Sequence, residues 1–153
     1  MTSKAQPYIY LASLSPRRSQ LLDQIGVAHQ ILVADASEDA ESLEVALKNE
    51  APQAYVMRVT GLKLNAAVKQ LKNRGLVAAP VLCADTTVAM GRVIYGKPEN
   101  AADAAQMLAE LSGKTHRVLT SIAIAYGAGC KKCLQDLSES KVTFAPMTKA
   151  QIA

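Results

Sequence analysis

Apolar and polar positions along this 153-residue chain alternate between short β-type runs and longer helical repeats. Ile9, Tyr10 and Leu11 form a compact apolar, β-prone run. Ser15 followed by Pro16 is the usual way to cap a helix and fill its first position, which predicts a helix over 16–25 that stops at Gly26. Residues 28–33 alternate loosely and read as a strand, and 42–50 as a short helix. The strongest helical signal covers 53–73, where Tyr55, Val56, Val59, Leu62, Leu64, Ala67, Val68 and Leu71 are spaced to share one apolar face.

Val77 to Leu82 is an apolar run broken by Pro80, and it leads into Cys83-Ala84-Asp85-Thr86-Thr87-Val88-Ala89-Met90. Gly91-Arg92 suits a two-residue hairpin turn, with Val93-Ile94-Tyr95 returning as the partner strand. A helix over 101–112 follows, ending at Ser112-Gly113, then a long strand over 115–126 and another over 139–145. Thr148-Lys149-Ala150-Gln151 has the spacing of a capping box, so the chain ends just as a helix begins.

Half of the residues are hydrophobic, enough for one domain over 1–153 with a core of Ala, Val, Leu and Ile, since there is no Trp and one Phe. The 17 Lys and Arg exceed the 13 Asp and Glu by 4, but no basic tail or stripe concentrates them. That distribution speaks against a dedicated nucleic-acid binder and suits a small anionic ligand. Apolar runs fall short of the roughly 18 residues that cross a bilayer, and the first residues lack the order of a signal peptide, which predicts a cytoplasmic protein with no membrane partner.

Candidate chemistry begins where the first strand meets the first helix. A helix N-terminus favours anions and disfavours cations by about 0.3–1 kcal/mol each, so Arg17 and Arg18 are either solvated surface residues or partners of a polyanion. Asp85, inside an apolar strand, needs a hydrogen bond or a metal to be tolerated there, unless it caps a strand end or a turn. The loop Gly96-Lys97-Pro98 could return Lys97 beside it. Asp35, Glu38, Asp39 and Glu41 crowd four carboxylates into one loop, which calls for solvent or a shared cation. Arg58 and Lys63 lie off the apolar helix face and read as ordinary solvated positions. Cys130 and Cys133 have the two-residue spacing of redox and zinc sites, but Cys83, His29 and His116 complete no zinc set, so a structural or incidental role is expected.

Ser13 to Arg18, the Arg58–Lys63 helix, Ala84-Asp85-Thr86, Gly96-Lys97-Pro98, Leu111 to His116 and Lys141-Val142-Thr143-Phe144 occur in an order and spacing that resembles the Maf nucleotide pyrophosphatases over nearly the whole chain. The resemblance implies an α/β fold with a long central mixed β-sheet flanked by helices, two-lobed like the inosine triphosphate pyrophosphatases. It implies hydrolysis of nucleoside triphosphates to monophosphate and pyrophosphate as nucleotide-pool house-cleaning, and a link to septum formation. In it Ser13, Arg17, Arg18, Lys63, Lys97 and Thr86 correspond to phosphate- and substrate-binding positions, and Asp85 to the general base or metal ligand. Glu38 corresponds to a second acidic residue for Mg2+ or Mn2+. The expected mechanism is attack by an activated water at the α-phosphorus without a covalent enzyme intermediate.

Arg17 directly after Pro16, together with Ala84-Asp85-Thr86, resembles the dTTP/UTP branch more than the branch acting on methylated GTP. Two departures stand out. Ser37 replaces an acidic residue often found before Glu38, and the family's C-terminal Asp-Lys-Ala-Gly stretch is missing. The second predicts an incomplete domain with exposed strand edges, prone to instability or homodimerisation. The alternative to an active pyrophosphatase is therefore a weakly active or inactive remnant that binds nucleotide or a protein partner.

Overall fold

A computed structural model describes residues 7–33 and 45–153. Its elements run in the order β1 (Ile9–Leu11), α1 (Pro16–Gln24), β2 (His29–Ile31), α2 (Pro52–Asn73), β3 (Val81–Met90), β4 (Val93–Tyr95), α3 (Ala101–Leu111), β5 (Thr115–Tyr126), β6 (Lys132–Thr143) and α4 (Lys149–Ile152). The strands form one mixed sheet in the order β2-β1-β3-β5-β6, with β4 alongside part of β3. β1 runs parallel to both β2 and β3, and the other pairings are antiparallel. The α/β architecture with a mixed sheet is thus the expected one.

The sheet and α2 bury each other. Leu64, Ala67 and Leu71 of α2 pack with Val81 and Cys83 of β3 and with Ala123 and Ala125 of β5, while Val56 packs with Ala89 and Leu119 nearer the helix start. Leu62, expected on this face, is 36% exposed, because it stands two positions, roughly 200°, from Leu64 round the helix. Thr60 takes the inner place, and its hydroxyl is satisfied by donating to the Val56 carbonyl at 2.6 Å.

Several boundaries differ from the sequence pattern for identifiable reasons. Pro80 has no N–H to give a ladder, so β3 starts at Val81 and Val77–Ala79 stay outside it. Ser15 occupies the N-cap of α1, yet its side chain makes no cap bond; its own N–H donates to Ser13 Oγ at 3.2 Å instead. Residues 45–50 form a turn with Asn49 at φ +61° rather than the end of a helix, while 42–44 lie outside the described residues. β6 begins at Lys132, well before the expected 139, because a strand paired on one side and exposed along most of its length needs no apolar alternation. The Gly91-Arg92 hairpin forms as expected, with Met90 opposite Val93 and Gly91 at φ +60°.

Thr148 accepts from the Gln151 N–H, and the Gln151 side chain accepts from the Thr148 N–H, completing the expected capping box. No helix among the described residues is long and apolar enough to cross a membrane.

Leu119 is fully buried between Val56 and Ala89. Leu119→Ala is expected to cost about 2–5 kcal/mol in urea denaturation. A loss below about 1 kcal/mol would show that this end of the helix–sheet interface collapses without it.

Candidate active site

β1 lies between its two parallel neighbours, β2 on one side and β3 on the other, so the chain leaves the carboxyl end of β1 at a point where the strand order reverses direction. Open α/β sheets hold ligands at such a point. The segment that emerges there is Ala12 to Ser15, leading into α1, and Ala12 is anchored by its N–H donating to the Leu82 carbonyl at 2.9 Å. Ser13 Oγ then accepts from both the Ser15 N–H and Arg18 Nη1, the latter at 3.1 Å. The guanidinium of Arg18 is thereby folded back over the loop, and Arg17 is left exposed at the start of α1.

The edge of β3 that receives β1 is only partly covered. β1 pairs with Val81 and Leu82, and β4 pairs with Val88 to Met90. Between these contacts Ala84 to Thr87 have no strand on that side among the described residues, although β5 pairs with all of them on the other. Asp85 is in the middle of this gap. It shares a sheet face with Cys83 and its cross-strand partner Ser121, toward α2, and its Oδ1 lies 3.3 Å from Lys63 Nζ. The carboxylate is 15% exposed, so it is partly buried and still open to a ligand.

Arg18 and Lys63 converge on the same place from two elements. Burial pushes the Cys83 thiol up to about 12, and the charges of Lys63 and Arg18 both act against that rise, which puts both cations beside the strand that carries Asp85. The structure thus pairs Ser13 with Arg18 and Lys63 with Asp85, and both cations act on Cys83, two residues before Asp85 on the same strand. The solvated role expected of Lys63 from the sequence gives way to an ion pair.

Thr86 points to the other face, where its hydroxyl lies 3.0 Å from that of Thr120. The β3–β4 ladder ends at Tyr95 opposite Val88, and Lys97 follows two residues later in the Gly96-Lys97-Pro98 loop. Lys97 is exposed, and the ion pair of Asp85 is with Lys63 instead. Glu38 and its acidic neighbours lie outside the described residues.

Three further residues take roles that the sequence reading did not assign. Ser121 is fully buried opposite Asp85, a polar residue inside the apolar half of β5 that could have been noticed. Gln135 Nε2 donates to Ser121 Oγ at 3.4 Å and to the Met57 carbonyl at 2.6 Å, and nothing in the exposed pattern of β6 marks it. Arg58, read from sequence as a solvated helix position, grips both carboxylate oxygens of Glu50 at 2.7 and 2.9 Å and the Val45 carbonyl at 2.8 Å. It fastens the 45–50 turn to α2.

No group of three or more His, Cys, Asp or Glu is assembled among the described residues. A divalent cation in a phosphate site is commonly held by one or two carboxylates plus the substrate's own oxygens, and Asp85, with one oxygen on Lys63, is a hard donor of that kind.

The Maf-like protein family model matches residues 8–153. This chain belongs to the Maf family. A relative from Albidiferax ferrireducens named dTTP/UTP pyrophosphatase is 62% identical over 145 residues, which cover 95% of this chain and 71% of that protein. One from Polaromonas sp. with the same name is 56% identical, covering 97% and 72%. Among solved structures, a HAM1 protein from Coxiella burnetii superposes with a TM-score of 0.54 at 14% identity, over 88% of this chain and 71% of that one. A nucleoside-triphosphatase (dITP/XTP pyrophosphatase) from Mycobacterium abscessus gives 0.52 at 18% identity, over 89% and 73%. These two share the fold, a mixed sheet flanked by helices.

The Arg58 guanidinium, through its hydrogen bonds, holds the Glu50 carboxyl below its ordinary value of 4.5. The stabilisation from this pair is complete above that ordinary value and is lost as pH falls through the lower folded one. Glu50→Gln is therefore expected to lower Tm by a few degrees at neutral pH, with the difference from the parent chain vanishing in acid; a difference constant with pH would exclude the charge pair as its cause.

Proposed function

We propose that this chain hydrolyses dTTP and UTP to the monophosphate and pyrophosphate, keeping the nucleotide pool of the cytoplasm clear of misplaced triphosphate. The observation that carries the reading is the Lys63–Asp85 pair, set in an uncovered stretch of β3 beside the Ser13–Arg18 loop. The choice of pyrimidine nucleotides rests on relatives of that name at 49–62% identity.

In this reading the polyphosphate enters at the gap. Arg17, Arg18 and the free N–H groups at the start of α1 bind its oxygens, with Ser13 holding Arg18 in place. Lys63 approaches from the α2 face and Lys97 from the loop after β4, so the negative charge that builds on the departing pyrophosphate meets cations on two sides. Thr86 is available to the same ligand from the opposite sheet face. Asp85 orients the attacking water and takes its proton as the water oxygen bonds to the α-phosphorus and the bridging oxygen leaves with pyrophosphate. Mg2+ or Mn2+, held by Asp85 and phosphate oxygens, would supply Lewis-acid polarisation of the phosphoryl groups.

Pyrophosphate release from dTTP, UTP and GTP in the presence of Mg2+ or Mn2+ tests the reading. Turnover of dTTP and UTP well above GTP is expected, with Asp85→Asn lowering kcat by about 10²–10⁴-fold in a chain that still folds. Lys63→Ala should raise KM as well as lower kcat, because it removes both a phosphate contact and the partner of Asp85. Folded protein that releases pyrophosphate from none of the three overturns the proposal, and equal turnover of all three overturns its pyrimidine part.

A further inference from the structure

Away from the gap, at the end of the sheet where β5 turns into β6, Cys130 and Cys133 line one cavity of about 370 Å3 with Lys69, Lys72 and Lys131, over a floor that includes Val68. All three lysines and Cys133 are exposed, and Cys130 is half-buried, with Sγ 3.6 Å from the Ala79 carbonyl. Two cysteines and three lysines therefore line one opening. The proposed hydrolysis uses none of them.

The turn that presents the thiols is constrained. The Cys130 N–H donates to the Gly127 carbonyl at 3.1 Å, and Cys130 itself has φ +53°, a left-handed conformation that a residue with a side chain adopts at a cost. Lys131 follows in the right-handed region, at φ −82° and ψ −16°, before Lys132 and Cys133 pair with Tyr126 and Ala125. Between the two cysteines, the right-handed backbone of Lys131 bends the segment away from the roughly 10 Å that three extended residues span, and a disulfide accepts a Cα separation of about 4.4–6.8 Å. Cys83 offers a contrast within the same chain: it is 1% exposed, in the core, with its thiol pushed up to about 12 by burial.

We propose that Cys130 and Cys133 are a reactive dithiol that exchanges with an anionic small-molecule disulfide, of which glutathione disulfide is the type, to form an intramolecular disulfide at the β5–β6 turn. The carboxylates of the small disulfide are drawn to Lys69, Lys72 and Lys131. The thiolate of exposed Cys133 attacks one sulfur, the small S–S bond breaks, and one small thiolate leaves. Cys130 then attacks the Cys133 sulfur of the mixed disulfide and expels the second. Two electrons pass from the cysteine pair to the small disulfide, and the two thiol protons end on the released thiols. The exchange is independent of the proposed hydrolase activity.

Intact-mass measurement with peptide mapping of the wild-type protein, incubated with glutathione disulfide, tests this directly. The expected product has lost two hydrogens, maps to a Cys130–Cys133 cross-link, reverts with dithiothreitol and leaves Cys83 as a thiol. Cys130→Ser should stop at a single glutathionyl group on Cys133. At low salt the anionic disulfide should react roughly tenfold faster than cationic cystamine, an advantage that salt removes. Separate glutathionyl groups persisting on both cysteines, or no reaction at either, overturns the dithiol. Equal rates with the two small disulfides overturn the role of the lysines.

Discussion

Along one edge of β3, two short strands share the pairing and do not meet. β1 ends its ladder at Leu82 and β4 begins its own at Val88, while β5 holds the opposite edge from Val81 to Ala89 without interruption. A partner covering the whole edge would occupy the backbone groups of Ala84 to Thr87 and set a further side chain beside Asp85 on the α2 face, crowding the approach to its carboxylate. The continuous antiparallel ladder on the other side keeps β3 extended through the gap. Asp85 can therefore be rigidly placed and still reachable, and Lys63 on α2 answers its charge.

The packing of α2 maintains this arrangement. Leu64, Ala67 and Leu71 bury against β3 and β5, and Lys63, next to Leu64 in sequence, is carried to the sheet by the same contact that fills the core. A charged residue beside a buried leucine on a helix has little freedom in where its stem begins, so core packing sets the position of the site's cation. At the start of the helix, Arg58 adds a second tether by gripping Glu50 and the Val45 carbonyl.

Much of the fold was legible because its strongest elements follow simple periodicities. The apolar face of α2, the long β5, the Gly91-Arg92 hairpin and the capping box at Thr148 all stand close to where their patterns put them. The misreadings have local causes. Leu62 satisfies the helical spacing only if the face is drawn too wide, and β6 hides because an exposed edge strand leaves no alternation to read. Of the site, the residue types at the β1–α1 loop, Asp85 and the Lys97 loop carried their own chemical signal, and the resemblance to known pyrophosphatases added Lys63. Arg58 and Gln135 carried none, since a hydrogen bond between distant segments leaves no trace in local composition.

The sequence by itself determined where the chain turns helical or extended, which faces are apolar, and that a serine- and arginine-bearing loop and a strand aspartate need explaining, because capping, periodicity and the cost of a buried charge act over a few residues. Only the tertiary structure decided that Asp85 falls in the uncovered stretch of β3, that it pairs with Lys63, and that Thr86 turns to the opposite face beside Thr120. Those relations depend on strand register and on the docking of a helix across two strands, and both are set by contacts between residues tens of positions apart.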